Sequence, residues 1–193
     1  MTIFEKSLQQ HVETFDRLAA MEASVAKAAA VCADAIAKGN KVIFCGNGGS
    51  AADSQHIAAE LVGRLVDDRR ALPALSLTTD TSALTCIAND YGYDHVFARQ
   101  LSGVGQAGDV LIAISTSGNS ANILNAVEVA KSMGIYSIGW LGKDGGKLAH
   151  QVDWPLIAPS NITARIQEVH IFWGHVICAL IEKQLGYGNW ESA

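Results

Sequence analysis

The sequence lacks the features that mark membrane, secreted or nucleic-acid-binding proteins. No apolar run reaches the roughly 18 residues needed to span a bilayer, and residues 1–6 lack the basic and then apolar layout of a signal peptide. The 193 residues carry a formal net charge of −5 and contain no dense run of lysine and arginine. Such a charge argues against a surface for nucleic acid or for an anionic membrane. We therefore expect a cytoplasmic protein whose ligand is a small molecule, with no nucleic-acid or membrane partner.

Cysteine is scarce, and its spacing is irregular. The four cysteines, Cys32, Cys45, Cys86 and Cys178, form no C-x-x-C pair and fall in segments that read as helix or strand. Free cysteine usually behaves as a small buried hydrophobic residue. The spacing therefore predicts reduced, buried thiols and argues against a disulfide framework.

The most informative local pattern is an apolar segment that ends in glycines and continues as a helix. Val42–Gly46 reads as a strand, and Ser50 followed by Asp53 resembles a capping box, which predicts a helix that starts at Ser50. The first turn of a helix offers unpaired N–H groups and the positive end of the dipole, and glycines let an anion approach closely. The segment therefore predicts a phosphate-binding loop, which we call the glycine loop (residues 46–49).

Two other interpretations of the glycine loop remain open. Gly46–Ala51 satisfies the loose G-x-G-x-x-G/A dinucleotide pattern, which also needs an acidic residue about 20 positions further on, at the end of the next strand. Asp67 and Asp68 have that distance but lie in the charged segment over residues 66–72, which we expect to be a surface connection. Asp80 lies too far along the chain. A purely structural glycine turn is the second alternative.

Strand and helix patterns alternate through the rest of the chain. The predicted strands are 41–46, 73–78, 109–115, 135–141 and 154–159. The predicted helices are 50–64, 79–87 with an end over 88–92, 94–104, 121–133, and a last helix that starts at Asn161 or Thr163 and runs to 185. With right-handed crossovers, this order predicts one α/β domain over residues 1–193, a three-layer α/β/α sandwich with a mostly parallel five-stranded sheet. Ligands of such folds bind at the carboxyl ends of the strands.

A helical stripe over residues 3–38 precedes the first strand. It predicts one long helix, or two helices broken near Met21. A helix of that length cannot cover the sheet with its whole apolar face. We therefore expect the 1–38 segment to contribute to packing between subunits.

A second loop at a strand end is rich in hydroxyl groups. Ser115, Thr116, Ser117 and Ser120 place four hydroxyls within six residues, whereas capping the next helix requires only one. Hydroxyls and backbone N–H groups at a helix N-terminus can bind a phosphate without lysine. Ordinary turn residues are the alternative. We call residues 115–120 the serine loop. The sequence thus offers two alternative phosphate sites, one near Ser50 and one near Ser120.

Candidate metal ligands occur on two predicted helices. His56 and Glu60 are four residues apart and project from one helix face, although a solvated surface pair would show the same spacing. In the last helix Gln167 and His175 lie about 80° apart around the axis, so both can face one site. Angle alone favours Glu168 over Gln167 as the partner of His175. We interpret His170, on the mostly apolar part of that helix, as a buried histidine with a hydrogen-bond partner.

Taken together and in order, these segments resemble the phosphoheptose isomerases, the sedoheptulose 7-phosphate isomerases of bacterial nucleotide-activated heptose synthesis. The resemblance covers nearly the whole chain. The segments that carry it are Cys45–Asp53, Gln55–Leu61, Ala88–Gly92, Ser115–Ser120 and Ala164–His175.

The resemblance implies a sugar-isomerase (SIS) fold, a homotetramer with active sites at subunit interfaces, and one zinc ion per subunit. It implies the metal ligands His56, Glu60, Gln167 and His175. It implies Glu60 as the base at carbon and His175 as the acid and base at oxygen. It places the sugar phosphate on Ser115, Thr116, Ser117 and Ser120, and the rest of the substrate on Asn47, Gly48, Gly49, Glu60, Asn89, Asp90 and Gln167.

Other proteins of this fold are not enzymes. One group resembles this chain in the glycine loop and in the Arg165–Glu168 run but binds the bacterial replication initiator, and others sense sugar phosphates. The initiator-binding proteins depart from the pattern at the positions of Glu60 and His175, both of which are present here. The sequence therefore favours an aldose–ketose isomerase that converts D-sedoheptulose 7-phosphate to D-glycero-D-manno-heptose 7-phosphate.

Overall fold

The computed structural model describes residues 1–188 and begins with two helices instead of one. Residues 189–193 of the expected single domain lie outside the described residues. Helix α1 spans Ile3–Phe15, a 3₁₀ segment follows at Leu18–Met21, and helix α2 spans Glu22–Ala37. The break close to Met21 confirms the second of the two alternatives for this segment.

Five parallel strands form a single sheet in the order β2-β1-β3-β4-β5. The strands are β1 Val42–Gly46, β2 Ala74–Ser76, β3 Val110–Ser115, β4 Tyr136–Leu141 and β5 Trp154–Ile157. The remaining helices are α3 Gly49–Val62, α4 Thr81–Tyr91, α5 Val96–Val104, α6 Ala121–Ser132 and α7 Thr163–Gln184. The predicted α/β class and the five-stranded parallel sheet are confirmed.

The sheet has two apolar cores, one on each face. Phe44 and Trp140 pack with α2, α3 and α7, whereas Ile43 and Cys45 pack with α4, α5 and α6. Neighbouring residues of β1 thus point to opposite faces, and burial on both faces explains why the strands read as continuous apolar runs. The result is the expected three-layer sandwich.

The strand order places a ligand crevice between β1 and β3. The chain continues from β1 to one side of the sheet and from β3 to the other, so the topological switch point lies between these strands. Gly46 pairs in register with Ile114, one residue before the end of β3. The glycine loop and the serine loop therefore leave the sheet side by side.

The prediction of a capping box at the start of α3 was wrong. Helix α3 begins at Gly49 and its N-cap is Gly48, with φ 58° and no side-chain capping bond within residues 1–188, so Ser50 and Asp53 do not form a capping box. The glycine conformation itself makes the turn, which leaves no geometric need for a serine cap. Helix α4 continues past Ile87 to Tyr91, within the 88–92 segment that was predicted to end it, and Gly92 follows with φ 86°.

The cysteine prediction holds for three of the four residues. Cys32, Cys45 and Cys178 are buried and free, and burial raises the pKa of Cys32 and of Cys45 to about 12. Cys86 is also free but exposed, because it lies on the outward face of α4. Within residues 1–188 no helix has both the length and the apolar character to cross a membrane.

His170 joins α7 to the end of β4. Its Nε2–H donates to the carbonyl oxygen of Leu141 at 2.9 Å, and its ring is fully buried near Trp140 and Trp173. Within the described residues its Nδ1 atom has no hydrogen-bond partner. Burial lowers the pKa of His170 to about 4, so the ring is neutral at physiological pH. The geometry matches the interpretation of His170 as a buried histidine with a hydrogen-bond partner.

This burial predicts a loss of stability in mild acid. Because the pKa of His170 falls from 6.5 to about 4 on folding, the unfolded chain binds more protons between these values. The contribution of neutral His170 to the free energy of unfolding is complete above about pH 6.5 and is lost as the pH falls towards 4. The loss amounts to about 3 kcal/mol at 1.36 kcal/mol per pKa unit. Urea unfolding at pH 7 and pH 5 should show a steeper loss for the wild type than for His170→Gln, which cannot titrate. If the free energy of unfolding depended equally on pH in the two proteins, the loss of stability in acid could not be assigned to His170.

Candidate active site and metal centre

Helices α3 and α7 run parallel and touch closely, which brings two sets of polar side chains together. Gly49 faces Gln167, Ile57 faces Gly174, and Leu65 N lies 3.3 Å from Glu182 Oε1 just beyond the end of α3. A Cβ atom on Gly174 would overlap the buried Ile57 side chain. The absence of a side chain at this position therefore sets the short distance between the helices.

Three donor atoms converge next to this contact, and we call these residues the donor cluster (His56, Glu60, His175). His175 Nε2 lies 3.2 Å from His56 Nε2, and His56 Nε2 lies 3.1 Å from Glu60 Oε1. Zinc bonds of about 2.0–2.1 Å would place two ligand atoms of a tetrahedral site about 3.3 Å apart. The spacing and the donor types of the cluster therefore fit a divalent metal ion.

Gln167 and Glu168 have different surroundings. The Gln167 amide packs directly against Gly49, where a Cβ atom would overlap its Nε2. The Glu168 carboxylate turns towards α1, with Oε2 2.9 Å from His11 Nδ1 and Oε1 2.5 Å from Arg165 Nη2. Helical angle alone favoured Glu168 beside His175, but its pairing with α1 explains why that choice is wrong. Metal binding by Gln167 stays a prediction.

Asp53 lies close to His56 and has unused hydrogen-bonding capacity. Burial raises the pKa of the Asp53 carboxyl, and the neighbouring His56 imidazole opposes that shift. Its Oδ2 atom is buried without a hydrogen-bond partner in the described part of the chain. Carboxylates commonly orient the histidines that ligate a metal, so this orphaned oxygen also fits a metal centre at His56.

The serine loop has free hydrogen-bonding groups at the N-terminus of α6. Ser115 Oγ and Ser120 Oγ lie 3.0 Å apart, and within residues 1–188 Ser120 makes no side-chain capping bond although it is the N-cap. The two hydroxyls therefore face each other instead of the first turn of the helix. An anion could accept from these hydroxyls and from the backbone N–H groups of that turn.

The loop after β4 supports the serine loop from one side. Gly118 has φ 65°, and a Cβ atom there would overlap the carbonyl oxygen of Gly145. Leu148 N donates to Gly118 O at 3.0 Å, and Lys147 N donates to Asn119 Oδ1 at 3.1 Å. These contacts fix the backbone that carries Thr116 and Ser117.

In the glycine loop, Asn47 is held by two residues that the sequence did not single out. Asn47 and Asn122 exchange two side-chain hydrogen bonds, each of 2.9 Å, and the Tyr93 hydroxyl donates to Asn47 Oδ1 at 3.0 Å. Gly48 and Gly49 beside it are exposed. The position of Asn122, two residues after Ser120, was the available sequence signal for a role in the site. Its contact with Asn47 becomes apparent only in the folded structure.

Asn89 and Asp90 are exposed on the last turn of α4 and interact with each other. Asn89 Nδ2 donates to Asp90 Oδ1 at 2.8 Å, and Cys86 Sγ lies 3.5 Å from Asp90 Oδ2. They precede Tyr93 by a few residues, so they lie on the segment that reaches Asn47. Their contact with a substrate stays a prediction.

Arg69 and Glu182 tie the C-terminal end of α3 to α7. The charged segment over residues 66–72 was expected on the surface, but both side chains are about 1% exposed and Arg69 Nη2 lies 2.8 Å from Glu182 Oε1. The same Nη2 donates to the backbone oxygen of Glu60 at 2.8 Å. A buried pair of this kind holds the helix segment that carries Glu60 against α7.

Comparison with known proteins gives consistent results. The SIS domain family model matches residues 6–142. Phosphoheptose isomerase from Nitratiruptor sp. is 52% identical over 180 residues, which cover 93% of this chain and 96% of that relative. The structure of phosphoheptose isomerase GmhA from Neisseria gonorrhoeae has a TM-score of 0.83 and 44% identity, covering 93% of this chain and 95% of that chain. A phosphoheptose isomerase structure from Francisella tularensis has a TM-score of 0.86 and 37% identity, covering 93% and 94%.

The close contact at Gly174 predicts a specific sensitivity of the donor cluster. Gly174→Ala should push α7 away from Ile57 and separate His56 from His175, lowering the affinity for Zn²⁺ at least tenfold, the scale on which even supporting residues of metal sites act. Gly103→Ala on α5 is the matched control, because a Cβ atom there meets nothing within 4 Å. Competition titration with a chromogenic chelator measures both variants. Equal zinc affinities would show that the contact between α3 and α7 does not determine the spacing of the donor cluster.

Proposed function

The chain belongs to the SIS domain family and, within it, to the phosphoheptose isomerases, and from that premise we propose that it converts D-sedoheptulose 7-phosphate to D-glycero-D-manno-heptose 7-phosphate. This reaction is an aldose–ketose isomerisation, an intramolecular oxidation and reduction. The single observation that carries the proposal is the convergence of His56, Glu60 and His175, a carboxylate with two imidazoles. Proton transfer at adjacent carbons and oxygens needs such groups.

The proposed cofactor is one zinc ion per subunit. His56, Glu60 and His175 would hold it with nitrogen and oxygen donors, and Gln167 would supply the fourth ligand through its amide oxygen. Three of these donor types are usual for zinc, whereas a glutamine oxygen is less usual. When bound, the ion supplies Lewis-acid stabilisation of the negative charge that develops on substrate oxygen.

Glu60 and His175 would divide the proton transfers between carbon and oxygen. Glu60 takes a proton from C1 of the ketose and returns it to C2, while His175 moves a proton between the oxygens on the same two carbons. One oxygen of Glu60, Oε1, lies in the donor cluster. The second oxygen, Oε2, is then the one available as the base, which allows a single carboxylate to serve both roles.

The serine loop is the proposed phosphate site. Ser115, Thr116, Ser117 and Ser120 would donate hydroxyls to the phosphate beside the N-terminus of α6. The remaining substrate groups would meet the glycine loop and the end of α4 through Asn47, Gly48, Gly49, Asn89, Asp90, Glu60 and Gln167. Ser50 is the weaker of the two candidate anion sites, because its side chain is buried and its backbone N–H donates to the carbonyl oxygen of Asn47 at 3.0 Å.

We propose that the working form is a cytoplasmic homotetramer. Helix α1 carries the apolar residues Ile3, Phe4, Leu8 and Val12 with exposures of 88%, 75%, 52% and 48%. An apolar stripe of this kind on a helix favours burial against another copy of the chain.

The alternative functions, initiator binding and sugar-phosphate sensing, require neither a base nor a metal. Glu60 and His175 are the positions at which the initiator-binding relatives depart, and here these residues meet around His56. Their convergence favours the isomerase.

The catalytic assignment predicts the behaviour of Glu60→Gln. This change removes the base but keeps an oxygen donor, so turnover should fall at least about a hundredfold, the scale of general-base catalysis. Heptose phosphate formation from sedoheptulose 7-phosphate is followed before and after chelation, with zinc content measured on the same samples. Retained turnover in a variant that keeps its metal would remove Glu60 from the mechanism, and an inactive metal-replete wild type would refute the isomerase.

The oligomer proposal predicts that a charge on α1 dissociates the tetramer. Leu8→Glu places a carboxylate in the apolar stripe, whereas Lys6→Glu changes charge on another face of the same helix and serves as the control. Sedimentation velocity should show smaller species for Leu8→Glu alone. A wild-type monomer at working concentration, or a tetramer unaffected by Leu8→Glu, would contradict the role of α1.

A further inference from the structure

The side-chain amide of Asn47 uses most of its hydrogen-bonding capacity on neighbouring residues of the protein. A side-chain amide offers two N–H donors and two oxygen lone pairs. One donor of Asn47 goes to Asn122 Oδ1 at 2.9 Å, and one lone pair accepts from Asn122 Nδ2 at 2.9 Å. The other lone pair accepts from the Tyr93 hydroxyl at 3.0 Å. One N–H is all that remains for a ligand. We call the reciprocal contact of Asn47 and Asn122 the amide pair.

The surroundings of the amide pair keep it in this orientation. Asn122 is 3% exposed on the first turn of α6, directly after the serine loop. Rotating its amide would place oxygen against oxygen and nitrogen against nitrogen across the pair, with buried polar groups left unsatisfied. Tyr93 adds a further contact in this orientation, because its hydroxyl donates to Asn47 Oδ1 at 3.0 Å.

We propose that Asn122 and Tyr93 are positioning residues that restrict Asn47 to donating one hydrogen bond to an acceptor oxygen of the sugar phosphate. This inference rests on the proposed function for the identity of the ligand. Asn47 then selects a carbonyl or hydroxyl oxygen by its lone pair in the bound substrate, and its side chain cannot accept a hydrogen bond from a substrate hydroxyl. The amide pair also ties the glycine loop to the start of α6, two residues after Ser120, and so holds the glycine loop beside the serine loop.

The first test is a double-mutant cycle on Asn47 and Asn122. Asn122→Leu keeps the buried volume but releases the Asn47 amide, and it should raise KM by about threefold to tenfold, the scale of one hydrogen bond, with kcat changed by less than threefold. In the Asn47→Ala background the same change should have less than a twofold effect, because Asn122 acts only through Asn47. Asn40→Leu is the control, since it breaks the amide contact with Gln106 at the opposite edge of the sheet.

The second test examines the restriction to donation. Asn47→Asp preserves shape but cannot donate, so affinity should fall at least as far as in Asn47→Ala. Tyr93→Phe removes an exposed hydroxyl without disturbing the core and should raise KM by about twofold to fivefold. Wild-type affinity in Asn47→Asp, an unchanged KM in Tyr93→Phe, additive effects in the cycle, or a loss confined to kcat would each overturn the inference. Tyr93→Phe and Asn47→Asp decide the matter if Asn122→Leu fails to fold.

Failure of this inference is distinguishable from failure of the proposed function. Calorimetry with the borohydride-reduced substrate, a heptitol 7-phosphate that cannot isomerise, measures the same cycle without turnover. A wild-type chain that binds this probe but does not isomerise the sugar would refute the isomerase function. The double-mutant cycle could then still be measured from the affinity for the probe. An active wild type whose cycle is additive would refute the positioning roles alone, and a wild type that does not bind the probe would overturn the inference.

Discussion

The close parallel packing of α3 and α7 is the contact on which the site depends. Gly174 allows Ile57 to approach, and this approach brings His56 to 3.2 Å from His175. Arg69 and Glu182 secure the other end of the same helix pair from within the core. A rigid apolar contact between two helices thus holds polar groups at a spacing that a metal can use, although those groups would repel or remain unsatisfied by themselves.

The parallel sheet supplies the second half of the site. Because strand order reverses between β1 and β3, the glycine loop and the serine loop leave neighbouring strand ends and leave a crevice between them. The amide pair of Asn47 and Asn122 then joins the glycine loop to the first turn of α6, which follows the serine loop. Glycines set the conformation of both loops: Gly118 allows close backbone contact with Gly145, and Gly48 adopts a positive φ.

The errors of sequence reasoning share one physical cause, which is competition from tertiary contacts. The Ser50–Asp53 pattern is a good local cap, but the glycine turn at Gly48 makes it unnecessary. Glu168 has the better helical angle towards His175, but Arg165 and His11 take its carboxylate towards α1. Arg69 belongs to a charged segment, but it is buried because Glu182 and several carbonyl oxygens accept from it.

The sequence by itself determined the fold class, the breaks between elements, the two loops at strand ends and the residue types of the site, since periodicity and turn chemistry act over short distances. Only the tertiary structure decided that His56, Glu60 and His175 meet, that Glu168 turns away, and that Asn122 and Tyr93 orient Asn47. Those outcomes depend on contacts between residues that are distant along the chain, at distances set by packing. Local spacing can place a side chain on a helix face, but it carries no information about the helix on the other side.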